Sequence, residues 1–228
     1  MRLSRQQIAA RVAQDIPHGS YVNLGIGVPT LVADFLPADR EIILHTENGM
    51  LGMGGTAEPG HEDRDLINAG KVFVVEKPGA SYFHHADSFA MMRGGHIDVC
   101  VMGAFQVSIH GDLSNWRTNA SDSIPSVGGA MDLAVGAKHI YVVMDLFTKT
   151  GECKIVEQCT YPLTGMRCVE RVYSDIAVFE FVEDEVRVLE IFDDLNFQAL
   201  SEMVGIDLVD RTYPAGGANL VSSSEKAR

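Results

Sequence analysis

The sequence predicts an α/β domain built around a largely parallel sheet. Three observations carry this: apolar runs of strand length at 21–24, 41–45, 71–76, 97–102 and 139–144, helical character in the intervening segments 87–92 and 129–135, and glycine-rich turns after the first two strands. Strands that alternate with helices form a parallel sheet covered on its faces. With 228 residues, 46% of them hydrophobic and 7% aromatic, the chain can bury one sizeable core. One domain over residues 1–214 is expected, followed by a small, polar, flexible tail at 215–228.

The elements follow in order. Ser4 and Gln7 have the spacing of a capping box, and Ile8, Val12 and Ile16 then recur at helical spacing until Pro17 and Gly19 stop the helix. The strand at 21–24 runs into Gly25-Ile26-Gly27, and Pro29 opens a helix with Leu31, Val32, Phe35 and Leu36 apolar. After the strand at 41–45, the stretch 49–60 is so dense in glycine that neither helix nor strand is expected there. A loop at a strand end is a common place for chemistry. Residues 176–182 and 186–192 flank an acidic turn as a hairpin, and 199–204 close the fold as a helix.

Charge narrows the function. Eighteen Lys and Arg against 31 Asp and Glu give a net charge of −13, which repels nucleic acid and acidic lipid surfaces. An anionic ligand therefore needs a local cationic site. Arg2, Arg5 and Arg11 interrupt the start before a signal-peptide run develops, and no stretch is long enough to span a bilayer, so the cytoplasm is the expected compartment. Cys100, Cys153, Cys159 and Cys168 form no CxxC pair and no zinc spacing with histidine; reduced, buried thiols are expected, with neither disulfide nor metal.

Several motifs fail. The third glycine of a dinucleotide fingerprint starting at Gly25 would fall on Thr30, and neither a GxxxxGK[ST] loop nor a GxSxG elbow occurs. His84 and His85 are adjacent, and adjacent side chains diverge on a helix or strand, which argues against a shared metal. The segment Thr46-Glu47-Asn48-Gly49-Met50-Leu51-Gly52 differs in kind, because it places one carboxylate at a strand end among apolar residues and glycines. Poor solvation makes such a carboxylate a candidate nucleophile, and glycine lets substrate approach the backbone. Taken by itself, Glu47 also fits a solvated loop acid.

Thr46-Glu47-Asn48-Gly49 resembles the Ser-Glu-Asn-Gly signature of the B (beta) subunits of class I 3-oxoacid CoA-transferases. The resemblance extends through Asn23-Leu24-Gly25-Ile26-Gly27, Leu66-Ile67-Asn68-Ala69-Gly70-Lys71, Ser88-Phe89-Ala90-Met91-Met92-Arg93-Gly94-Gly95-His96, Gly111-Asp112-Leu113-Ser114-Asn115-Trp116, Gly128-Gly129-Ala130-Met131-Asp132-Leu133 and Cys159-Thr160-Tyr161-Pro162-Leu163-Thr164-Gly165. These motifs cover nearly the whole chain. The stretches Phe83-His84-His85-Ala86-Asp87-Ser88 and Ile124-Pro125-Ser126-Val127-Gly128-Gly129 look most like the 3-oxoadipate enzymes of that family. Three departures stand out: Thr46 replaces a serine, Gly55 stands where proline is common and should loosen its loop, and Met144-Asp145-Leu146-Phe147 replaces a more polar stretch.

The resemblance implies a three-layer α/β/α CoA-transferase fold with a largely parallel sheet, and a ping-pong reaction through an acyl-glutamyl anhydride and a glutamyl-CoA thioester on Glu47. CoA would be substrate and covalent intermediate, with no permanently bound cofactor and no metal. It also implies backbone N–H groups at Gly128 and Gly129 for the oxyanions. Asn23 and Lys71 match positions near the pantetheine arm, and Gly25, Gly27, Asn48 and Gly49 join them as candidate contacts for substrate or CoA. His84, His85 and Arg93 are candidate donors to a second substrate carboxylate. The expected partner is the alpha chain of the same transferase, in a heterotetramer with two copies of each. Succinyl-CoA and 3-oxoadipate are the expected substrates, with acetoacetate as the competing acceptor; a non-catalytic binding subunit or an acyl-CoA hydrolase would be the alternatives.

Overall fold

Helix α1, Arg5–Asp15, begins with Ser4 as N-cap and the complete capping box, Gln7 N–H donating to the Ser4 hydroxyl and the Ser4 N–H to the Gln7 side chain. The computed structural model describes residues 2–119, 124–125, 127–192 and 194–212; the expected tail at 215–228 and Ser126 lie outside them. Strand β1 is Tyr21–Leu24, and the segment opened by Pro29 is a 3₁₀ helix, Val28–Phe35, wound more tightly than the expected α-helix. Then come β2 (Ile43–Thr46), β3 (Met50–Thr56), β4 (Val74–Tyr82), α2 (His85–Arg93) and β5 (Val99–Gly103). Short strands β6 (Gln106–Ser108) and β7 (Leu113–Ser114) precede α3 (Ala130–Gly136) and β8 (His139–Met144). The chain continues through β9 (Ile155–Val156), β10 (Val169–Ser174), β11 (Ala177–Val182), β12 (Glu185–Ile191), α4 (Phe197–Val204) and β13 (Val209–Asp210).

Among the described residues, ten strands form one sheet in the order β13-β12-β11-β10-β8-β5-β1-β2-β3-β4. Its centre, from β10 to β2, is parallel, and antiparallel hairpins extend both wings. Strand β6 joins β7 and β9 in a separate three-stranded sheet. Alternation along the central strands builds two cores: Val99, Val101, Tyr141 and Val143 face α1 and the 3₁₀ helix, while Cys100, Met102, Ile140 and Val142 face α2 and α3. The fold is thus the three-layer α/β/α arrangement.

Three expectations need correction. The glycine-rich stretch after Gly49 is strand β3, paired with both β2 and β4, because two neighbours supply the backbone hydrogen bonds that glycine propensity disfavours. Gly55 loosens nothing: it lies in β3 where an added Cβ would stand 2.9 Å from Asp34 Oδ1, and the Asp34 carboxylate accepts from the Thr56 N–H. Of the four cysteines only Cys100 is fully buried; the other three are half-buried, and all four are free.

Candidate active site

Glu47, half-buried, is the first residue of the tight turn that joins β2 to β3. Gly49 makes this turn possible. Its φ is +104°, its carbonyl accepts from the Phe83 N–H, and a Cβ on it would meet the Phe83 carbonyl oxygen at 2.1 Å. The hydroxyl retained at Thr46 closes the turn by accepting from the Met50 N–H at 3.0 Å. His85, in the first turn of α2, places Nδ1 2.8 Å from the Glu47 carbonyl oxygen; that ring nitrogen must carry the proton.

A buried polar chain supports the strand end. The Asn23 amide nitrogen lies 3.1 Å from His45 Nδ1 and also donates to the His45 carbonyl; His45 Nε2 lies 2.9 Å from the Ser88 hydroxyl, which reaches the Thr46 carbonyl at 2.9 Å. An amide nitrogen only donates, so Nδ1 accepts and Nε2 holds the proton. Burial pushes the His45 imidazole down to about 4, a shift that the Ser88 contact partly opposes, so the ring is neutral at pH 7.

Above this chain lies a cavity of about 700 Å³ at the C-terminal ends of β1, β2, β5 and β8, lined by Leu24, Thr46, Gly103 and Met144. Ligands of open α/β sheets bind at this end of the strands. Glu47 forms part of its wall and faces Gly129, where an added Cβ would stand 2.6 Å from Oε2. Gly128, at φ +48°, precedes Gly129, the N-cap of α3, and neither N–H is engaged in a hydrogen bond within the described residues. Two donors beside a carboxylate, in a cavity roomy enough for an extended acyl chain, suit acyl transfer.

Of the residues singled out in the sequence, Asn23, Gly25, Glu47, Asn48, Lys71, Gly128 and Gly129 line this cavity. Gly27 and Gly49 do not; they shape its turns, Gly27 at φ +87° just before the 3₁₀ helix. His84, His85 and Arg93 also lie outside the lining. His84 caps α2 by accepting from the Ala86 N–H, and Arg93 pairs with Asp132 at 2.6 Å over the Phe89 ring. The second-carboxylate role expected of these three has no support in their placement. Sequence reading missed the supporting role of His45 and Ser88; His45 showed only as a polar residue ending an apolar strand run, and Ser88 stood in two of the resemblance motifs with no role assigned to it. No group of metal ligands occurs among the described residues.

Residues 5–192 match the coenzyme A transferase family. The chain is 58% identical over 208 residues to the B subunit of 3-oxoadipate CoA-transferase of Pseudomonas putida, covering 91% of this chain and 97% of that one. Identity is 56% over 211 residues to the same-named protein of Acinetobacter baylyi, covering 92% and 97%. Among solved structures, glutaconate coenzyme A-transferase of Acidaminococcus fermentans superposes with a TM-score of 0.69 at 13% identity, covering 94% of this chain and 90% of that one. The acyl-CoA transferase YdiF of Escherichia coli O157:H7 superposes with a TM-score of 0.67 at 21% identity over 94% of this chain, which spans 44% of that longer chain. The chain belongs to the coenzyme A transferase family. It is a CoA-transferase, and none of its described helices is long and apolar enough to cross a membrane.

Proposed function

We propose that the chain is the glutamate-bearing beta subunit of a cytoplasmic transferase that moves CoA from succinyl-CoA to 3-oxoadipate. The carrying observation is Glu47, set at a strand end in the cavity and facing the glycine turn at Gly128-Gly129. Relatives named for 3-oxoadipate are 58% and 56% identical, against 45% for a Bacillus subtilis protein named as a probable succinyl-CoA:3-ketoacid transferase chain, which favours 3-oxoadipate over acetoacetate.

The Glu47 carboxylate attacks the thioester carbonyl and CoA leaves as thiolate, forming an acyl-glutamyl anhydride. The thiolate then attacks the glutamyl carbonyl and expels succinate, leaving a glutamyl-CoA thioester. The acceptor carboxylate attacks that thioester, and the released thiolate takes the new acyl group and frees Glu47. Each step exchanges one activated acyl bond for another, so neither ATP nor metal nor resident cofactor is called for. The Gly128 and Gly129 N–H groups would stabilise the tetrahedral oxyanions. Asn23, Gly25, Asn48 and Lys71 would hold CoA, whose remote contacts are spent at the reacting carbonyl.

Catalysis requires the alpha chain, in a heterotetramer with two copies of each; the relatives' designation as B subunits supports a partner. The test is mass spectrometry of the assembled enzyme after succinyl-CoA and borohydride reduction. Trapping at Glu47 is expected. Turnover with no modification at Glu47, or full transfer by this chain alone, would overturn the reading.

A further inference from the structure

We propose that Lys154 anchors the free carboxylate of a dicarboxylic acyl group while Glu47 works on the carboxyl at its other end; this rests on the CoA-transfer reading above. Among the described residues, three cationic side chains line the cavity: Arg5, Lys71 and Lys154. Arg5 faces Asp145, which shares the wall, at 4.0 Å, and this pair balances its own charge. Among the described residues, neither Lys71 nor Lys154 has an ion pair. Lys71 stands just before β4, on the Glu47 side of the sheet. Lys154 stands on the other.

Its position is built rather than incidental. The chain leaves β8 at Met144, turns back through a hairpin closed by the Phe147–Cys153 bridge and by Thr148 N–H to Glu152 carbonyl, and returns Lys154 to the cavity. There the Lys154 N–H donates to the Leu146 carbonyl and its own carbonyl accepts from the Val107 N–H, so the main chain is held on both sides. The side chain is half-buried. Strands β2 and β8 are separated by β1 and β5, three strand spacings or roughly 14 Å. A glutamate from one end and a lysine from the other take up much of that span and leave a gap suited to a short dicarboxylate.

Charge supplies the selection. In a chain of net charge −13, an unpaired lysine facing a partly apolar cavity is a costly feature unless an anion meets it. Succinyl and 3-oxoadipyl groups both present a free carboxylate, whereas butyryl and acetoacetyl groups present none. Lysine as a point charge tolerates the differing lengths of the two acids.

The experiment uses the enzyme assembled with its alpha partner, comparing Lys154→Met and Lys154→Arg with wild type on succinyl-CoA and butyryl-CoA. Lys154→Met should lose roughly ten- to a hundredfold in kcat/KM for succinyl-CoA, mostly through KM, with butyryl-CoA unchanged. Lys154→Arg should recover most of the loss. Equal losses on both donors, or no loss on succinyl-CoA, overturn the proposal. Should the wild type transfer nothing, the CoA-transfer reading fails by itself, and a second readout still decides Lys154: in the ¹³C-methylated protein, the Lys154 signal, assigned by its absence in Lys154→Arg, should move with succinate and not with butyrate. A signal that ignores succinate overturns the anchor.

Discussion

The carboxylate of Glu47 and the backbone of Gly129 approach so closely that no side chain fits between them: a Cβ on Gly129 would lie 2.6 Å from Oε2 and 3.1 Å from Cδ of Glu47. Phe89 closes the same space, its Cζ lying 3.3 Å from that Cβ position. Gly129→Ala must therefore push the Glu47 side chain to another rotamer. Displacing an attacking oxygen by about 1 Å costs on the order of a hundredfold in rate. The expected result is a kcat loss of that size with unchanged circular dichroism and unchanged assembly, measured by CoA-transfer assay.

Shortening the nucleophile tests the same geometry from the other side. Glu47→Asp keeps the charge but withdraws the oxygen by one methylene, and it should lose on the order of a hundredfold or more, while Glu47→Ala abolishes transfer. Near-normal turnover in either variant would refute the assignment.

The turn beneath Glu47 makes a stability prediction. Gly49 combines φ +104° with a 2.1 Å approach of an added Cβ to the Phe83 carbonyl oxygen. Backbone cannot yield there as a flexible side chain would, so Gly49→Ala should cost at least about 1–3 kcal/mol and lower activity together. Urea titration monitored by fluorescence checks the first part.

His45 predicts a pH dependence. Its folded value, pushed down by burial to about 4, lies below the unfolded 6.5, so the unfolded chain binds the proton more readily. The contribution is fully present above about pH 6.5 and is lost as pH falls toward 4, to a limit of roughly 3 kcal/mol. His45→Gln keeps hydrogen bonding without titration and should flatten this slope of stability between pH 4 and 6.5. An unchanged slope would show that other groups carry it.

The two adjacent histidines should separate cleanly. His85 touches the Glu47 backbone, so His85→Ala should lower kcat equally for 3-oxoadipate and acetoacetate. His84 caps α2, so His84→Ala should cost about 1 kcal/mol of stability and leave the ratio of the two kcat/KM values unchanged. A selective loss for 3-oxoadipate in either variant would return the histidines to the substrate.

Local chemistry made much of this legible in the sequence. The capping box at Ser4 and Gln7, the strands Tyr21–Leu24 and His139–Met144, and the acidic hairpin turn depend on residues within a few positions of one another. So does the turn of Glu47, whose strand end and following glycine are contiguous. What only the tertiary structure decided involves partners distant along the chain. Strand β3 forms against its glycine content because β2 and β4 supply its hydrogen bonds, and β10 is a strand because it pairs with β8. His45 becomes a neutral support only where Asn23 and Ser88 meet it inside the fold, and Lys154 joins Glu47 only because a hairpin beyond β8 returns it to the same cavity. Propensity and capping act between neighbours, whereas burial, register and the meeting of charges across a sheet exist only after the chain has closed on itself.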